Sequence, residues 1–270
     1  MRRQGRPSSA RRAGPEPAAA GERPSRGQTP QDLEGILRRA AAELALTLPG
    51  AFTSQVGIYL DELERWQRIG SLTAYQDRAA RVQHLVLESL MLLAVLPESA
   101  SPLLDIGTGA GVPGLILKLA RPEWEVVLVD AARRRANFLR HVVRRLGLQS
   151  VRVDWGRAEA LAAGPLAGRF RTVTMRAVAA ADVVRRLAVP FLASDGVLVL
   201  PVGPRGALAP GSRQERVISF PRELPWRRQF LIIRRTELDT DVSRGTARAA
   251  RPQHRGGEPE GRRREDNDRH

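Results

Sequence analysis

The chain contains no cysteine. That absence excludes disulfide scaffolds, thiolate zinc sites and every mechanism built on a cysteine nucleophile. Aromatic residues make up only 4% of the 270 residues, too few for a platform of stacked rings. Long apolar runs are also missing. The longest, around Leu85–Leu96, is interrupted by Glu88 and Ser89 and is far too short for a membrane span. Residues 1–30 hold no large hydrophobic residue after Met1, so they lack the apolar centre of a secretory signal. Lysine is nearly absent as well: Lys118 is the one lysine among 44 basic residues. With so much alanine, glycine and proline alongside, the arginine excess reads as compositional bias as much as a binding adaptation.

What is present is an ordinary soluble composition, 42% hydrophobic and 27% charged, with a formal net charge of +15. Such a charge points to nucleic acid or another anionic surface. Part of it sits at the ends: residues 1–30 carry seven arginines against Glu16 and Glu22. The sequence predicts a disordered basic tail over 1–30, a helical cap over 31–98, an α/β core over 99–238 and a second disordered tail over 239–270. In the cap, apolar residues recur at helical spacing from Leu33 to Leu48, from Phe52 to Trp66 and from about Asp77 to Leu96. Then short apolar runs alternate with helical stretches. Strands are expected at 102–106, 125–130, 151–155, 170–175 and 196–201, and helices at 113–120, 133–146 and 182–192. Two last strands, 215–220 and 229–235, have no helix between them and are expected to pair antiparallel. The pattern predicts a doubly wound, mostly parallel Rossmann-like sheet.

The chemistry-bearing stretch follows the first strand. Leu103–Asp105 leads into Gly107, Gly109, Gly111 and Gly114, a run that lets the backbone turn sharply and a ligand lie against it. The second strand ends at Asp130, where a carboxylate can take the two hydroxyls of a ribose. Gly109, Gly111 and Gly114 match the dinucleotide fingerprint of NAD enzymes. Alternatively, Asp105 two residues before Gly107 suits S-adenosylmethionine (SAM), whose amino-acid tail is cationic at its amino group and which carries no pyrophosphate. A purely structural glycine turn is the plainest alternative. Trp155-Gly-Arg-Ala158-Glu159 after the third strand places a carboxylate where an adenine would lie, and Arg176 ends the fourth strand at the same rim.

The run Leu104-Asp105-Ile-Gly-Thr-Gly-Ala-Gly-Val-Pro-Gly114, followed by Ala120-Arg-Pro122, Leu128-Val-Asp130 and Arg134-Arg-Ala-Asn-Phe-Leu139, resembles the RsmG (GidB) family. Gly147-Leu148, Gly156-Arg-Ala-Glu159 and Arg176-Ala-Val-Ala179 extend the likeness, as do Trp66, Leu72-Thr73, His84 and Glu88-Ser89 in the cap. The resemblance covers about Ala51 to Gly203. It implies a class I SAM-dependent methyltransferase fold and methylation of N7 of a guanine in 16S ribosomal RNA. It further implies that Gly107 and Val112 contact SAM, that Ala158 and Glu159 flank its adenine, and that Arg176 closes the site. Asp130, Asp105 and Gly109 join these as cofactor-binding candidates on the physical argument above. Arg133, Arg134 and Arg135, just past Asp130, are candidate contacts to RNA phosphates. His84 could orient the cap or serve as a structural histidine.

The family usually has Asn where this chain has Ser71, Arg at Gln83, Asp at Glu88 and Lys at Val202. Those differences motivate a second expectation, a catalytically decayed RNA-binding or ribosome-assembly protein; a third is an NAD-linked Rossmann enzyme. N7 of guanine carries an in-plane lone pair, so no catalytic general base is expected, and no metal. The remaining expectations are the small ribosomal subunit as partner, no membrane partner, a monomer, and a cytoplasmic location.

Overall fold

A computed structural model describes residues 30–176, 181–202, 216–219, 229–236 and 238. Apart from Pro30, both expected tails lie outside the described residues, as does the Ala177–Ala179 part of the last family motif.

The chain opens with α1 (Pro30–Glu43) and α2 (Phe52–Arg68). On α2, Phe52, Val56, Tyr59, Leu60 and Leu63 recur every three or four residues and are all buried. The periodicity of Leu33–Leu48 predicts a longer first helix than the one observed. It ends early because Ala45 takes a left-handed conformation, φ 51°. The Leu46 amide then donates to the Ala41 carbonyl at 2.8 Å and that of Ala45 to Ala42 at 3.2 Å, the Schellman arrangement that stops a helix. Glycine usually fills that position; an alanine there leaves no mark in the sequence.

The third helical run starts at Asp77, whose side chain accepts from the Ala80 amide at 2.7 Å. It passes through α3 (Arg78–Arg81), a π-helical turn (Val82–Leu87) and α4 (Glu88–Leu93). The rest alternates: β1 (Leu103–Ile106), α5 (Gly114–Ala120), β2 (Val126–Asp130), α6 (Arg133–Arg145), β3 (Val151–Trp155), α7 (Ala158–Leu161), β4 (Phe170–Met175) and α8 (Ala181–Ala188). A 3-10 turn at Val189–Phe191 precedes β5 (Leu192–Val202), β6 (Arg216–Ser219) and β7 (Gln229–Arg234). β5 begins earlier than the sequence suggests. The strand is expected at 196–201, but β5 already pairs with β4 through Leu192, across a register shift opposite Phe170 and Thr172.

The strands form one seven-stranded sheet in the order β3-β2-β1-β4-β5-β7-β6. All pairs are parallel except β5–β7 and β6–β7, and the second of these is the antiparallel pair expected from the sequence. Side chains alternate between two apolar layers. Leu103, Val126 and Leu128 face α1 through α6, while Leu104, Ile106, Val127 and Val129 face the opposite side. Both faces are covered, which is why β1 and β2 read as continuous apolar runs. The cap helices share one apolar cluster with α5 and α6, from Leu33 through Leu60 to Leu115 and Phe138. Phe138 on α6 meets Tyr59 and Trp66 on α2, with ring centroids 6.4 and 5.7 Å apart. The lone lysine is buried here too. Lys118 Nζ donates to the Pro122 and Trp124 carbonyls, each at 2.6 Å, and desolvation lowers its pKa.

Strand order reverses between β1 and β4: β2 and β3 lie on one side of β1, while β4 and β5 lie on the other. In open sheets of this kind the crevice for a ligand forms off the carboxyl ends of the strands at that reversal.

Candidate functional site

The loop that leaves β1 is built around Asp105. Its side chain is fully buried, yet three donors reach it: Thr108 Oγ1 at 2.6 Å and the Gly114 amide at 2.9 Å on Oδ2, and Thr174 Oγ1 at 3.0 Å on Oδ1. Burial pushes its pKa up. The hydrogen bonds from Thr108, Gly114 and Thr174, and the positive charge of Arg176, pull the other way. The Gly107 and Thr108 amides both donate to the Val129 carbonyl, at 2.8 and 3.1 Å, so the loop folds back over β2.

The four glycines divide by role. Gly107 and Gly109 have φ of 67° and 62°, and a Cβ at either would meet no side chain within 4 Å. They need glycine for backbone conformation and leave the loop open on their side. Gly111, itself at φ 92°, and Gly114 are closely packed. A Cβ at Gly111 would come within 2.7 Å of Leu139 Cδ2, and one at Gly114 within 2.5 Å of Leu128 Cδ2 and 2.8 Å of Asp105 Cβ. The open pair leaves room beside the loop; the packed pair fits α5 against β1, β2 and α6.

Asp130, buried at the end of β2, is engaged on both oxygens, accepting from the Gly109 amide and the Ala132 amide at 2.8 Å each. Arg176 follows β4 on the other side of the reversal. Its Nε is buried and has no hydrogen-bond partner among the described residues. Its charge is felt at Asp105 and at Tyr59. Tyr59 reaches down from α2 and donates its hydroxyl to the Ala110 carbonyl at 3.1 Å; burial raises its pKa. The cap therefore holds the glycine loop by a direct hydrogen bond. Ala158 is buried and Glu159 exposed at the start of α7, at the same carboxyl edge.

The structure brings Gly107, Gly109, Val112, Asp105, Asp130 and Arg176 together around the β1–β4 reversal. Asp105 sits beneath the loop, in contact with its donors, and presents no exposed atom. The three arginines after Asp130 separate. Arg134 donates to the Trp66 and Ile69 carbonyls, at 2.8 and 2.7 Å, and so clasps the end of α2. Arg135 lies 3.8 Å from Asp130, and Arg133 stands over the Trp155 ring. His84 Nδ1 is 2.7 Å from Glu88 Oε1, and its ring stacks on Tyr75 with centroids 4.4 Å apart. The longer acid at position 88 still meets the histidine.

Sequence reasoning missed Tyr59, Thr108 and Thr174. Tyr59 occupies an apolar position on α2, and no local pattern tells that its hydroxyl meets a loop 51 residues later. Thr108 lies inside the glycine run, where its proximity to Asp105 is a usable cue; Thr174 is 69 residues from its partner. The dinucleotide reading fails on the same geometry. The amide at the start of α5, which a pyrophosphate would use, already binds the buried Asp105 carboxylate.

A sequence model described as GidB, rRNA small subunit methyltransferase G, matches residues 53–206. Three curated relatives carry the name ribosomal RNA small subunit methyltransferase G. The one from Sorangium cellulosum is 40% identical over 174 residues, 64% of this chain and 72% of its own. Another, from Chloroflexus aggregans, is 41% identical over 164 residues, 59% and 68% of the two chains. The relative from Syntrophotalea carbinolica is 32% identical over 190 residues, 70% and 87%. With its glycine loop, buried Asp105 and strand-end Arg176 inside the matched segment, the chain belongs to the GidB family of rRNA small subunit methyltransferases.

Proposed function

We propose that this protein transfers a methyl group from SAM to N7 of a guanine in the 16S RNA of the small ribosomal subunit. The observation that carries the reading is the open glycine pair, Gly107 and Gly109, set at the strand-order reversal opposite Arg176. Family membership and the names of the relatives supply the reaction class and the RNA.

The residues present fit SAM on two counts. The backbone at Gly107 has free space where a Cβ would stand, and Arg176 holds a buried guanidinium Nε without a partner. Gly107, Gly109 and Val112 would hold the amino-acid tail, with Arg176 opposite its carboxylate. Asp105 contributes negative charge from below and fixes the loop through Thr108 and Gly114. Asp130 has one donor on each oxygen and keeps a second lone pair on each for ribose hydroxyls. Ala158 and Glu159 would flank the adenine.

SAM supplies a sulfonium-activated methyl whose transfer leaves a neutral thioether. N7 of guanine needs no deprotonation, so the chain's own contribution is alignment, desolvation and a fixed electrostatic environment. The reading includes no metal, a monomeric protein and a cytoplasmic site of action; among the described residues no helix is long and apolar enough to cross a membrane.

The test is methyl transfer from labelled SAM to 16S RNA and to small subunits from cells lacking the gene, with the product nucleoside identified by mass spectrometry. Appearance of 7-methylguanosine at one position supports the proposal. Bound SAM without transfer to either substrate would point to the decayed, RNA-binding alternative; another methylated nucleoside would replace the guanine N7 assignment.

A further inference from the structure

Helix α6 carries six arginines in 13 residues and no acidic residue. Ala136, Phe138, Leu139 and Val142 form its buried face. Arg133, Asn137, Arg140 and Arg144 follow one another at intervals of four, three and four, and so lie in one stripe about 16 Å long at 1.5 Å per residue. Arg140 donates to the Val153 carbonyl at 3.1 Å, which ties this stripe to β3, the edge strand of the sheet.

At the end of β3 stands Trp155, 52% exposed, one of two large hydrophobic side chains exposed among the described residues. Strand alternation puts it on the same face as Val151 and Val153, which pack toward α6. Its indole Nε1 donates to the Ala131 carbonyl at 3.0 Å, and the Arg133 guanidinium carbon lies 5.3 Å from its ring centroid. The ring is therefore held in place yet left half in water, where burial would have been the favourable outcome. The acid on this strand, Asp154, pairs with Arg152 at 2.8 Å, and among the described residues Arg133, Arg140 and Arg144 have no ion pair.

We propose that the α6 stripe and Trp155 form the docking ridge for single-stranded ribosomal RNA, with phosphates along Arg133, Arg140 and Arg144 and an unstacked base on the Trp155–Arg133 pair. The proposal rests on the methyl-transfer reading for the identity of the RNA. Its physical basis is separate. Guanidinium groups recognise phosphate without reading sequence, and an aromatic ring beside an arginine accepts any base by stacking. The ridge also ends at the carboxyl edge of β3, two strands from the glycine loop on the same edge, so RNA held there is delivered toward the crevice.

The experiment uses the full chain, a labelled single-stranded oligoribonucleotide of 16S sequence for affinity and salt dependence, and 16S RNA for KM. Arg133→Ala/Arg144→Ala should weaken RNA binding about tenfold and reduce the slope of log affinity against log salt by about 1.4, some 0.7 per lost phosphate contact. Trp155→Ala should also weaken binding about tenfold but keep the slope, and Trp155→Phe should restore most of it. SAM affinity should be unchanged in all three, and Arg38→Ala/Arg39→Ala on α1 should bind RNA normally. Unchanged RNA affinity in the α6 and Trp155 variants overturns the ridge, as does an equal loss in the α1 variant. A matching loss of SAM affinity in Trp155→Ala would assign the ring to the cofactor crevice instead. Preferential loss of binding to phosphatidylserine vesicles would make the ridge a membrane surface. If the wild type binds the oligoribonucleotide through these residues but methylates no RNA, the ridge stands and the methyl-transfer reading falls.

Discussion

Under the cap, the middle of the sheet holds a carboxylate in complete burial; along β3, arginines stand in solvent. Asp105 is tolerated because two threonine hydroxyls and an amide replace the water it has lost. Arg133 and Arg144 need no such provision, since exposed charge is already solvated. The consequence runs opposite to intuition. The buried charge is committed to holding the glycine loop, and its removal should be felt throughout the fold. The exposed charges contribute little to stability and are free to meet a partner.

Removing Asp105 should give the largest effect. Asp105→Ala strands three buried donors and should destabilise the fold by about 3 kcal/mol in urea unfolding. A loss below about 1 kcal/mol would show that the loop does not depend on it. Burial raises the Asp105 carboxyl above its ordinary 3.8, so the folded chain keeps that proton to higher pH than the unfolded chain. The group's contribution is then full below about pH 4 and declines as pH rises through the raised value. Stability of the wild type relative to the non-titrating Asp105→Asn should therefore fall as pH rises above about 4; a rising difference would reverse the sign of the shift.

The two glycine pairs sharpen the same contrast at about 2 kcal/mol. Gly114→Ala forces a methyl against Leu128 and Asp105 and should cost about 2 kcal/mol of stability. Gly107→Ala meets no atom, so its cost is the left-handed backbone, about 1 kcal/mol, and its main effect should be a loss of SAM affinity. Thermal unfolding and calorimetric SAM titration of both variants separate the roles; equal stability losses would merge them.

Tyr59→Phe keeps the packing against Phe138 but leaves the Ala110 carbonyl without its donor. About 1 kcal/mol is expected, read as a several-fold weaker SAM affinity because the bond acts on the cofactor loop. Smallest of all, Arg68→Ala breaks an exposed pair with Glu64 and should change unfolding by less than about 0.5 kcal/mol. A larger loss would mean that surface arginines on the cap are structural.

Much of the site was legible because its cues are local. The glycine run, Asp105 before it, Asp130 at a strand end and Arg176 at another all lie in sequence where the alternation of strands places them. Helix ends show where legibility stops. Gly147 closes α6 in the left-handed conformation, with the Leu148 amide bonded back to the Val143 carbonyl, and glycine announces it. Ala45 closes α1 in the same way, and nothing in an alanine announces it. Arg134 is similar: beside Arg133 and Arg135 it looks like a third phosphate contact, but its guanidinium is spent on two carbonyls of α2.

By itself, then, the sequence determined the α/β class, the antiparallel final pair and the glycine loop after β1, because strand alternation and glycines act over a few residues. Tertiary structure decided which charges are buried and which are free. It set Thr174 and Thr108 around Asp105, brought Tyr59 onto the loop, committed Arg134 to the cap and left Trp155 in water. Those outcomes depend on elements that meet only after the chain has folded, where desolvation makes a buried polar group costly unless it finds a partner and lets an exposed one go without.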